Sequence, residues 1–288
     1  ATLLVVALIV RWLDPRILID PLWAKNLTYS FAHTLANLII YILAALIYVG
    51  LPYATKRSYH TSTVLIIGWW SSMVFILTNY FHHLYMDFVQ PGILQYFGEL
   101  SSYLTAVPVT AVTIFSALML VWRSRTRWTL GAIFFYSGLV GWVVGGIGAK
   151  IDASVPFNVH LHNTLWVPAH FHTYLLGGCL LFVLGWVFLL LESRSRRDTP
   201  EPTRWLISTL IFGGMIVFLL GFYFAGAMGV PRRYAAEPSP GPLIAQIATV
   251  GAAIMLVGFI LVFIEGLRLR RNYQADRPLW PEAEVSHE

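Results

Sequence analysis

The chain has 288 residues, of which 57% are hydrophobic and only 11% are charged, and its formal net charge is +5. This composition is too apolar for a soluble domain of that length and indicates an integral membrane protein surrounded by lipid. The apolar stretches are continuous rather than alternating, which excludes a membrane barrel and predicts an all-α, polytopic transmembrane helix bundle.

Seven apolar runs are long enough to cross the hydrocarbon core of a bilayer, which requires about 20 helical residues. In chain order they cover 27–52, 63–85, 99–122, 128–149, 162–191, 205–229 and 241–267. A shorter run over 1–13 begins with Ala and lacks the basic region of a signal peptide. We interpret it as a partial helix, and we expect the sequence to be the C-terminal part of a longer polypeptide.

Basic residues are distributed unevenly between these runs. Thirteen Lys and Arg residues lie in the connections 53–62, 123–127 and 193–204 and after residue 267, whereas the alternate connections contain five. By the positive-inside rule the first set faces the cytoplasm. We therefore expect one membrane-embedded domain over 1–272 and a polar cytoplasmic tail over 273–288. Because the positive charge reflects topology, no nucleic-acid partner is expected.

Five histidines lie at one predicted depth, in the outer half of the membrane. His33 belongs to the first long run, His82 and His83 end the second, and His170 and His172 belong to the fifth. Polar side chains are rare in hydrocarbon unless they have a partner or a function. Neutral imidazole is the commonest protein ligand of transition metals. Three imidazoles, from His33, His82 and His83, can bind one metal and leave a position open for a substrate.

The spacing of the histidines restricts which of them can share a site. His170 and His172 leave a helix about 200° apart, so one helix is expected to serve two cofactors, one on each face. His82 and His83 are about 100° apart and can both reach one metal only where the helix frays, as its outer end permits. Cys179 is the only cysteine, which excludes disulfides and thiolate clusters within the chain.

The run 99–122 carries a stripe of hydroxyl and acidic side chains within a sector of about 140°. Its members are Glu99, Ser102, Thr105, Thr110, Thr113 and Ser116. Such a stripe can hold a chain of water molecules that conducts protons. Hydroxyl residues that pack helices together or bond to their own backbone produce the same pattern, and both interpretations stay open.

Four motifs together resemble a known family. They are Phe31-Ala32-His33, the pair His82-His83, the segment HNTLWVPAHFH over 162–172, and Val230-Pro231-Arg232-Arg233-Tyr234. In order and spacing they resemble subunit I of the heme-copper oxidases, the catalytic subunit of cytochrome c oxidase, and most closely its B-type branch. The resemblance covers nearly the whole chain and implies a protein of the prokaryotic inner membrane.

The resemblance implies a cofactor for each of the five histidines. His33, His82 and His83 would bind the copper called CuB, although three imidazoles also suit iron. His170 would be the axial ligand of the high-spin heme, and His172 would bind the low-spin heme. The second ligand of the low-spin heme would come from an upstream half of subunit I, outside this chain.

The arginine motif and a tryptophan complete the predicted cofactor site. The resemblance implies that Arg232 and Arg233 bind heme propionates, whose carboxylates suit guanidinium groups, and that Trp166 contacts a cofactor. The proton channel of the family lies on the helix that carries the hydroxyl stripe, often around a lysine that is missing here. Electron entry would require a partner subunit with copper or heme c, because the chain has neither a thiolate pair nor a Cys-x-x-Cys-His motif.

Asn37 departs from the family pattern. In most oxygen-reducing relatives, the residue four positions after the first copper ligand is a tyrosine that supplies an electron and a proton. Asparagine cannot be oxidised in this way. Nitric oxide reductases of the superfamily also lack this tyrosine, since joining two NO molecules into N2O needs no radical donor. Asn37, which can hydrogen-bond a bound N–O unit, therefore favours NO as the substrate.

Other interpretations stay open. Asn37 can be an ordinary interhelical hydrogen-bonding residue, and the protein can reduce O2 to water as a cytochrome c oxidase does. More distantly, the chain can be a b-type electron-transfer cytochrome, although such proteins typically place paired histidines much farther apart on one helix. A transporter would need broken half-helices at the bilayer midplane, and the sequence gives no sign of them.

Overall fold

The computed structural model describes residues 2–87, 91–124, 126–233 and 239–276. In these ranges the chain forms eleven α-helices, which we number in chain order: α1 Thr2–Leu13, α2 Pro21–Ala44, α3 Ile47–Thr55, α4 Thr63–Phe75, α5 Ile93–Val121, α6 Leu130–Ala153, α7 Val155–Leu161, α8 Trp166–His172, α9 Leu181–Arg194, α10 Glu201–Ala227 and α11 Gly241–Arg271. A 3-10 helix, Asn79–Leu84, follows α4, and a π-helix, Thr173–Leu180, joins α8 to α9. Tyr234 and residues 277–288 of the predicted tail lie outside the described residues.

Six helical segments are long and apolar enough to cross a membrane. They are Pro21–Thr55, Ile93–Val121, Leu130–Ala153, Trp166–Arg194, Glu201–Ala227 and Gly241–Arg271. The predicted span 63–85 is not among them, because α4 has only 13 residues and a separate 3-10 helix follows it. The prediction of an all-α membrane bundle is thus confirmed for the described residues, whereas the count of seven spans is not confirmed.

Side-chain caps fix where several of these helices begin. The carboxylate of Asp20 accepts the backbone N–H of Trp23 at 2.6 Å, and α2 then starts at a proline, whose missing N–H costs nothing at that position. Ser62 and Thr129 cap α4 and α6 in the same way. Glu192 of α9 adds a second cap to α6, since its carboxylate accepts two backbone N–H groups of the first turn at 2.9 and 3.0 Å.

Glycines allow the long helices to touch along their backbones. A Cβ atom on Gly141 of α6 would lie 2.1 Å from the carbonyl oxygen of Gly177 in the π-helix, and one on Gly214 of α10 would lie 2.5 Å from the backbone nitrogen of Met255 in α11. Small residues at such crossings are typical of membrane helices, which associate by close packing. The contact at Gly141 holds α6 against the helical segment that carries His170 and His172.

Successive spans alternate in direction, so the helix ends form two groups. We call the end that contains Leu84, Ala153 and Trp166 the histidine end, and the opposite end, with Thr55 and Arg194, the arginine end. The predicted functional residues near Leu84 and Trp166 therefore belong to one end of the bundle, where α2, α5, α6, α8 and α10 meet.

Candidate functional site

His33 of α2 and His82 and His83 of the 3-10 helix form one cluster. Each offers a ligand atom, and these three atoms all lie within 4.8 Å of one another. The ring centroids are 4.3 to 4.9 Å apart. The separate 3-10 helix at this point takes the place of the expected frayed helix end and brings two adjacent imidazoles together. Three convergent imidazoles are a donor set that suits copper or iron.

Ser102 of α5 contacts the Nδ1 atom of His82. The hydroxyl of Ser102 donates its one hydrogen to the carbonyl oxygen of Asn79 at 3.2 Å, and its oxygen lies 3.1 Å from Nδ1 of His82. In this arrangement the hydroxyl oxygen can accept the Nδ1–H of His82, in the tautomer that leaves the Nε2 lone pair for a metal. Outer-shell hydrogen bonds of this kind orient metal-binding histidines.

Asn37 lies one turn after His33 on the same face of α2. Its amide nitrogen is 3.0 Å from Nδ1 of His33 and donates to the carbonyl oxygen of His33, also at 3.0 Å. The amide contains both a donor and an acceptor, so rotation of its terminal group lets the same side chain accept the N–H of a metal-bound His33. Asn37 is thus placed to orient the first imidazole of the cluster.

His170 and His172 face different neighbours of α8. His170 is buried against α6, where its Nε2 atom lies 3.6 Å from a carboxylate oxygen of Asp152. His172 faces α10 and packs against Phe218 and Phe222, with ring centroids 6.0 and 6.1 Å away. The Nδ1–H of His172 donates to the carbonyl oxygen of Pro168 at 2.7 Å, which leaves its Nε2 lone pair available.

The arginine motif pairs with the loop before α8. Arg232 donates to Asn163 twice, from its backbone N–H at 2.9 Å and from its guanidinium at 3.0 Å. Burial lowers the pKa of Arg232, and the neighbouring charge of Arg233 lowers it further. Arg233 is exposed. Trp166 donates its indole N–H to the carbonyl oxygen of Gly148 in α6 at 3.1 Å.

The predicted hydroxyl stripe of α5 divides into two parts. Ser102 contacts His82 of the histidine cluster. The hydroxyls of Thr105 and Thr113 are buried and donate to backbone carbonyls one turn earlier, each at 2.7 Å. Glu99 and Thr110 are half-buried. Thr105 and Thr113 thus bond to their own backbone, as the packing interpretation expects. Ser102 instead contacts His82, a candidate metal ligand.

Three residues near these sites were missed by the sequence reasoning. Tyr48 of α3 bonds the hydroxyl of Thr113 at 2.6 Å. Tyr29 stacks on His83, with ring centroids 4.6 Å apart and planes 12° apart. The third is Asp152, beside His170. Only Tyr29 had a signal in the sequence, since it lies one helical turn before His33 on the same face of the run 27–52.

Several buried polar atoms near His170 and Arg232 lack a hydrogen-bond partner. Both ring nitrogens of His170, one carboxylate oxygen of Asp152 and Nε of Arg232 are buried and have no hydrogen-bond partner in the described part of the chain. A buried polar group without a partner is costly, and each such group needs an explanation. A heme held by His170, with its carboxylates at Arg232, would give two of these groups a partner. The residues present therefore suit a heme and its carboxylates.

The sequence is similar to known proteins over most of its length. The family model described as cytochrome c and quinol oxidase polypeptide I matches residues 1–265. Cytochrome c oxidase subunit 1 of Thermus thermophilus is 29% identical, over 93% of this chain and 52% of the relative. The corresponding subunit of Synechocystis is 25% identical, over 84% of this chain and 43% of the relative. The chain thus spans about half the length of these curated relatives.

A solved structure shares the fold. A chain of a heme-copper terminal oxidase dimer, determined by cryo-electron microscopy, superposes with a TM-score of 0.76 at 22% identity, covering 100% of this chain and 57% of that one. The structural match extends over every span of the bundle, and the family model covers nearly the whole sequence. The chain therefore belongs to the cytochrome c and quinol oxidase polypeptide I family, the heme-copper oxidase subunit I proteins.

Proposed function

We propose that this chain contains the active site of a heme-copper oxidoreductase that reduces nitric oxide to nitrous oxide. Two NO molecules, two electrons and two protons give one N2O and one water. The choice of NO rests on Asn37, which contacts His33 of the cluster. A redox-active tyrosine would otherwise be expected at this position. The Asn37 amide can donate a hydrogen bond but cannot supply an electron.

Each histidine has a specific role in this proposal. His33, His82 and His83 hold copper, or iron in its place, while His170 binds the high-spin heme. His172 binds the low-spin heme together with a ligand from outside this chain. When bound, these metals supply the electrons and the binding positions for the gas, and the protein supplies geometry, electrostatics and protons.

The surrounding residues orient those ligands and bind the cofactor edges. Ser102 holds His82 in the tautomer that presents Nε2. Arg232 and Arg233 bind the propionates, and Trp166, whose indole N–H donates to Gly148 of α6, contacts the cofactor. Asn37 offers its amide N–H to the oxygen of a bound N–O unit.

Reduction of O2 to water is the second candidate. It is favoured by the names of the curated relatives, which are cytochrome c oxidase subunits. In that case the electron and proton that relatives take from the tyrosine would have to come from another group.

The substrate can be tested on the purified holoenzyme, assembled with its upstream helices and electron-donating subunit. We expect rapid NO consumption with N2O as the product and slow O2 uptake. Asn37→Leu should slow NO turnover by about tenfold or more, because a hydrogen bond worth about 1.4 kcal/mol changes a rate tenfold.

Asn26→Leu is the matched control for this experiment. It makes the same change on α2, but among the described residues the Asn26 amide bonds to the backbone oxygen of Leu22 alone, at 2.9 Å. This variant should retain wild-type turnover. Rapid O2 uptake by the wild-type protein with no NO consumption would contradict NO reduction and leave O2 as the substrate.

Protons are proposed to reach the site along α5 from the arginine end. Tyr48 and Thr113 form a hydroxyl pair at 2.6 Å, and the indole N–H of Trp69 donates to Tyr48 at 2.9 Å. This polar contact lies on the same stripe as Ser102, which contacts His82.

Thr113→Val should therefore slow multiple-turnover activity while the heme content stays unchanged. The substitution keeps the shape of the side chain and removes the hydroxyl that pairs with Tyr48. Thr249→Val serves as a control, because Thr249 is exposed on α11 and its hydroxyl donates only to the carbonyl of Ala245. Equal turnover of the two variants would remove Thr113 from the path.

The setting of the protein follows from the same proposal. Residues 1–272 form the membrane-embedded domain, the histidine end faces outward from the inner membrane, and the tail from residue 273 is cytoplasmic. The partners are an upstream half of subunit I and an electron-donating subunit with copper or heme c. Trypsin accessibility of the tail in inside-out vesicles, compared with right-side-out vesicles, tests this orientation.

A further inference from the structure

Lys150 brings a positive charge to the histidine cluster from α6. It lies on the last turn of α6, and its ammonium group donates to the carbonyl oxygen of Ser102 on α5 at 2.5 Å. The hydroxyl oxygen of Ser102 is 3.1 Å from Nδ1 of His82. We propose that Lys150 is a positioning residue that fixes Ser102 beside His82 and holds a positive charge next to the metal bound by the cluster. This inference rests on the proposed metal site of His33, His82 and His83.

The structure places Lys150 inside a membrane-spanning helix. The predicted apolar run 128–149 ends just before it, which assigns it to a connection between spans. In the structure α6 continues to Ala153, and Leu130–Ala153 is one of the six candidate spans. Ionisable residues within membrane spans are costly, almost always have a partner and typically mark functional sites. Lys150 therefore requires an explanation that an ordinary loop lysine does not.

The ammonium group of Lys150 has little compensation from the protein. Among the described residues its hydrogen-bond acceptor is the carbonyl of Ser102, and no carboxylate lies within ion-pair distance. Asp152, two residues later, attracts it only from longer range. Lys25, at the same end of the bundle, instead forms an ion pair with Asp87 at 2.6 Å. Because an ammonium group has three N–H donors, two of those of Lys150 are left for other polar groups of the site.

Ser102 connects Lys150 to the cluster through short contacts. Its side chain is fully buried, and its hydroxyl donates to the carbonyl oxygen of Asn79 at 3.2 Å while it contacts His82. Asn79 and His82 both belong to the 3-10 helix, so one residue of α5 joins α6 to the segment that carries two histidines of the cluster. Removing the ammonium group of Lys150 therefore frees the Ser102 carbonyl and loosens the contact that orients His82.

The charge of Lys150 acts on a different side of the cluster from the arginine motif. Lys150 lies within electrostatic range of His33 and His82, whereas the charge of Arg232 acts on His83. A positive charge repels a metal cation, and it does so more strongly after oxidation, when the metal carries more charge. Lys150 should therefore favour the reduced metal. A nearby cation also stabilises the negative charge that develops on the gas as electrons enter it.

The inference is tested with Lys150→Met in the complete holoenzyme. Methionine keeps an unbranched side chain but has neither the charge nor the N–H donors. The probe is carbon monoxide, bound to the reduced metal of the cluster after low-temperature photolysis of the heme adduct. Without the nearby positive charge the metal donates more electron density to carbon monoxide. We therefore expect the C–O stretch to move to lower wavenumber in infrared spectra, and its band to broaden as His82 loses its fixed orientation.

Two further variants separate the charge of Lys150 from the packing of its side chain. Lys150→Arg keeps the charge and a donor for the Ser102 carbonyl, so it should restore the wild-type stretch. Lys25→Met is the matched control, because it makes the same change at the same end of the bundle but removes a lysine that pairs with Asp87. This control should also keep the wild-type stretch. A wild-type stretch in Lys150→Met would overturn the inference.

The outcomes also separate this inference from the proposed metal site. If Lys150→Met assembles no metal at the cluster, Lys150→Gln is measured instead, because its amide keeps a donor for the Ser102 carbonyl and removes the charge. An unchanged stretch in that variant overturns the inference in the same way. Absence of a metal from the cluster of the wild-type holoenzyme, by copper and iron analysis, would instead contradict the metal site of His33, His82 and His83 itself.

Discussion

His83→Ala is expected to empty the second metal position of the holoenzyme while both hemes remain. The substitution removes one of three imidazoles whose ligand atoms lie within 4.8 Å of one another, and it also removes the ring on which Tyr29 stacks. Loss of a residue that only hydrogen-bonds to a metal ligand weakens metal binding by about 10–100-fold. Loss of a direct ligand should exceed this range, and gas reduction should fall below the limit of detection.

Metal analysis of the purified holoenzyme measures this result directly. Copper and iron are quantified against heme, so that iron in the second metal position is counted separately from heme iron. His160→Ala is the control, since His160 is an exposed histidine at the same end of the bundle. If His83→Ala retains the second metal at the wild-type stoichiometry, the cluster of His33, His82 and His83 is not a metal site.

The second large effect is expected from Gly141→Ala, which should prevent assembly of the bundle. The added Cβ atom would lie 2.1 Å from the carbonyl oxygen of Gly177 and 2.3 Å from its carbonyl carbon. These are backbone atoms, so no side-chain rotation relieves the contact and the two helices must separate. Overpacking typically costs about 1–3 kcal/mol, and a contact between backbones belongs at or above the upper end of that range.

Heme content and thermal stability of the detergent-solubilised protein test this expectation. Gly213→Ala is the matched control, because a Cβ atom on Gly213 of α10 meets nothing within 4 Å. That control should be as stable as the wild type or slightly more stable, since alanine favours a helix over glycine by up to about 1 kcal/mol. Normal heme incorporation in Gly141→Ala would show that the helices can move apart here at little cost.

Much of the architecture could be predicted because a membrane restricts the chain to few structures. Continuous apolar runs predicted all six segments that are long and apolar enough to cross a bilayer in the described part of the chain. The run 63–85 is not confirmed as a span, because α4 ends at Phe75 and an apolar composition does not reveal a change of helix type. At Thr78 the backbone leaves the helical region, with φ of −120°, and the residues that follow wind as a 3-10 helix.

The candidate site could be predicted only in part. Helical spacing predicts that His170 and His172 lie on different faces, and a common depth predicts that histidines of different spans meet, as His33, His82 and His83 do. The contact of Asp152 with His170 depends on how α6 crosses α8, and that of Tyr48 with Thr113 joins residues 65 positions apart. Periodicity within one helix contains no information about such crossings.

The π-helix Thr173–Leu180 has a consequence for how this protein can evolve. Its i to i+5 hydrogen bonds accommodate an additional residue, which rotates everything beyond Leu180 by about 100° relative to an uninterrupted α-helix. Phe182 and Gly185 are thereby turned towards α6 while the two imidazoles keep their own directions. The additional residue therefore sets the rotation of α9, which packs against α6, relative to α8, which carries the two histidines. Deleting a single residue there would misalign one of these two helices against its neighbours even if every side chain on both were preserved.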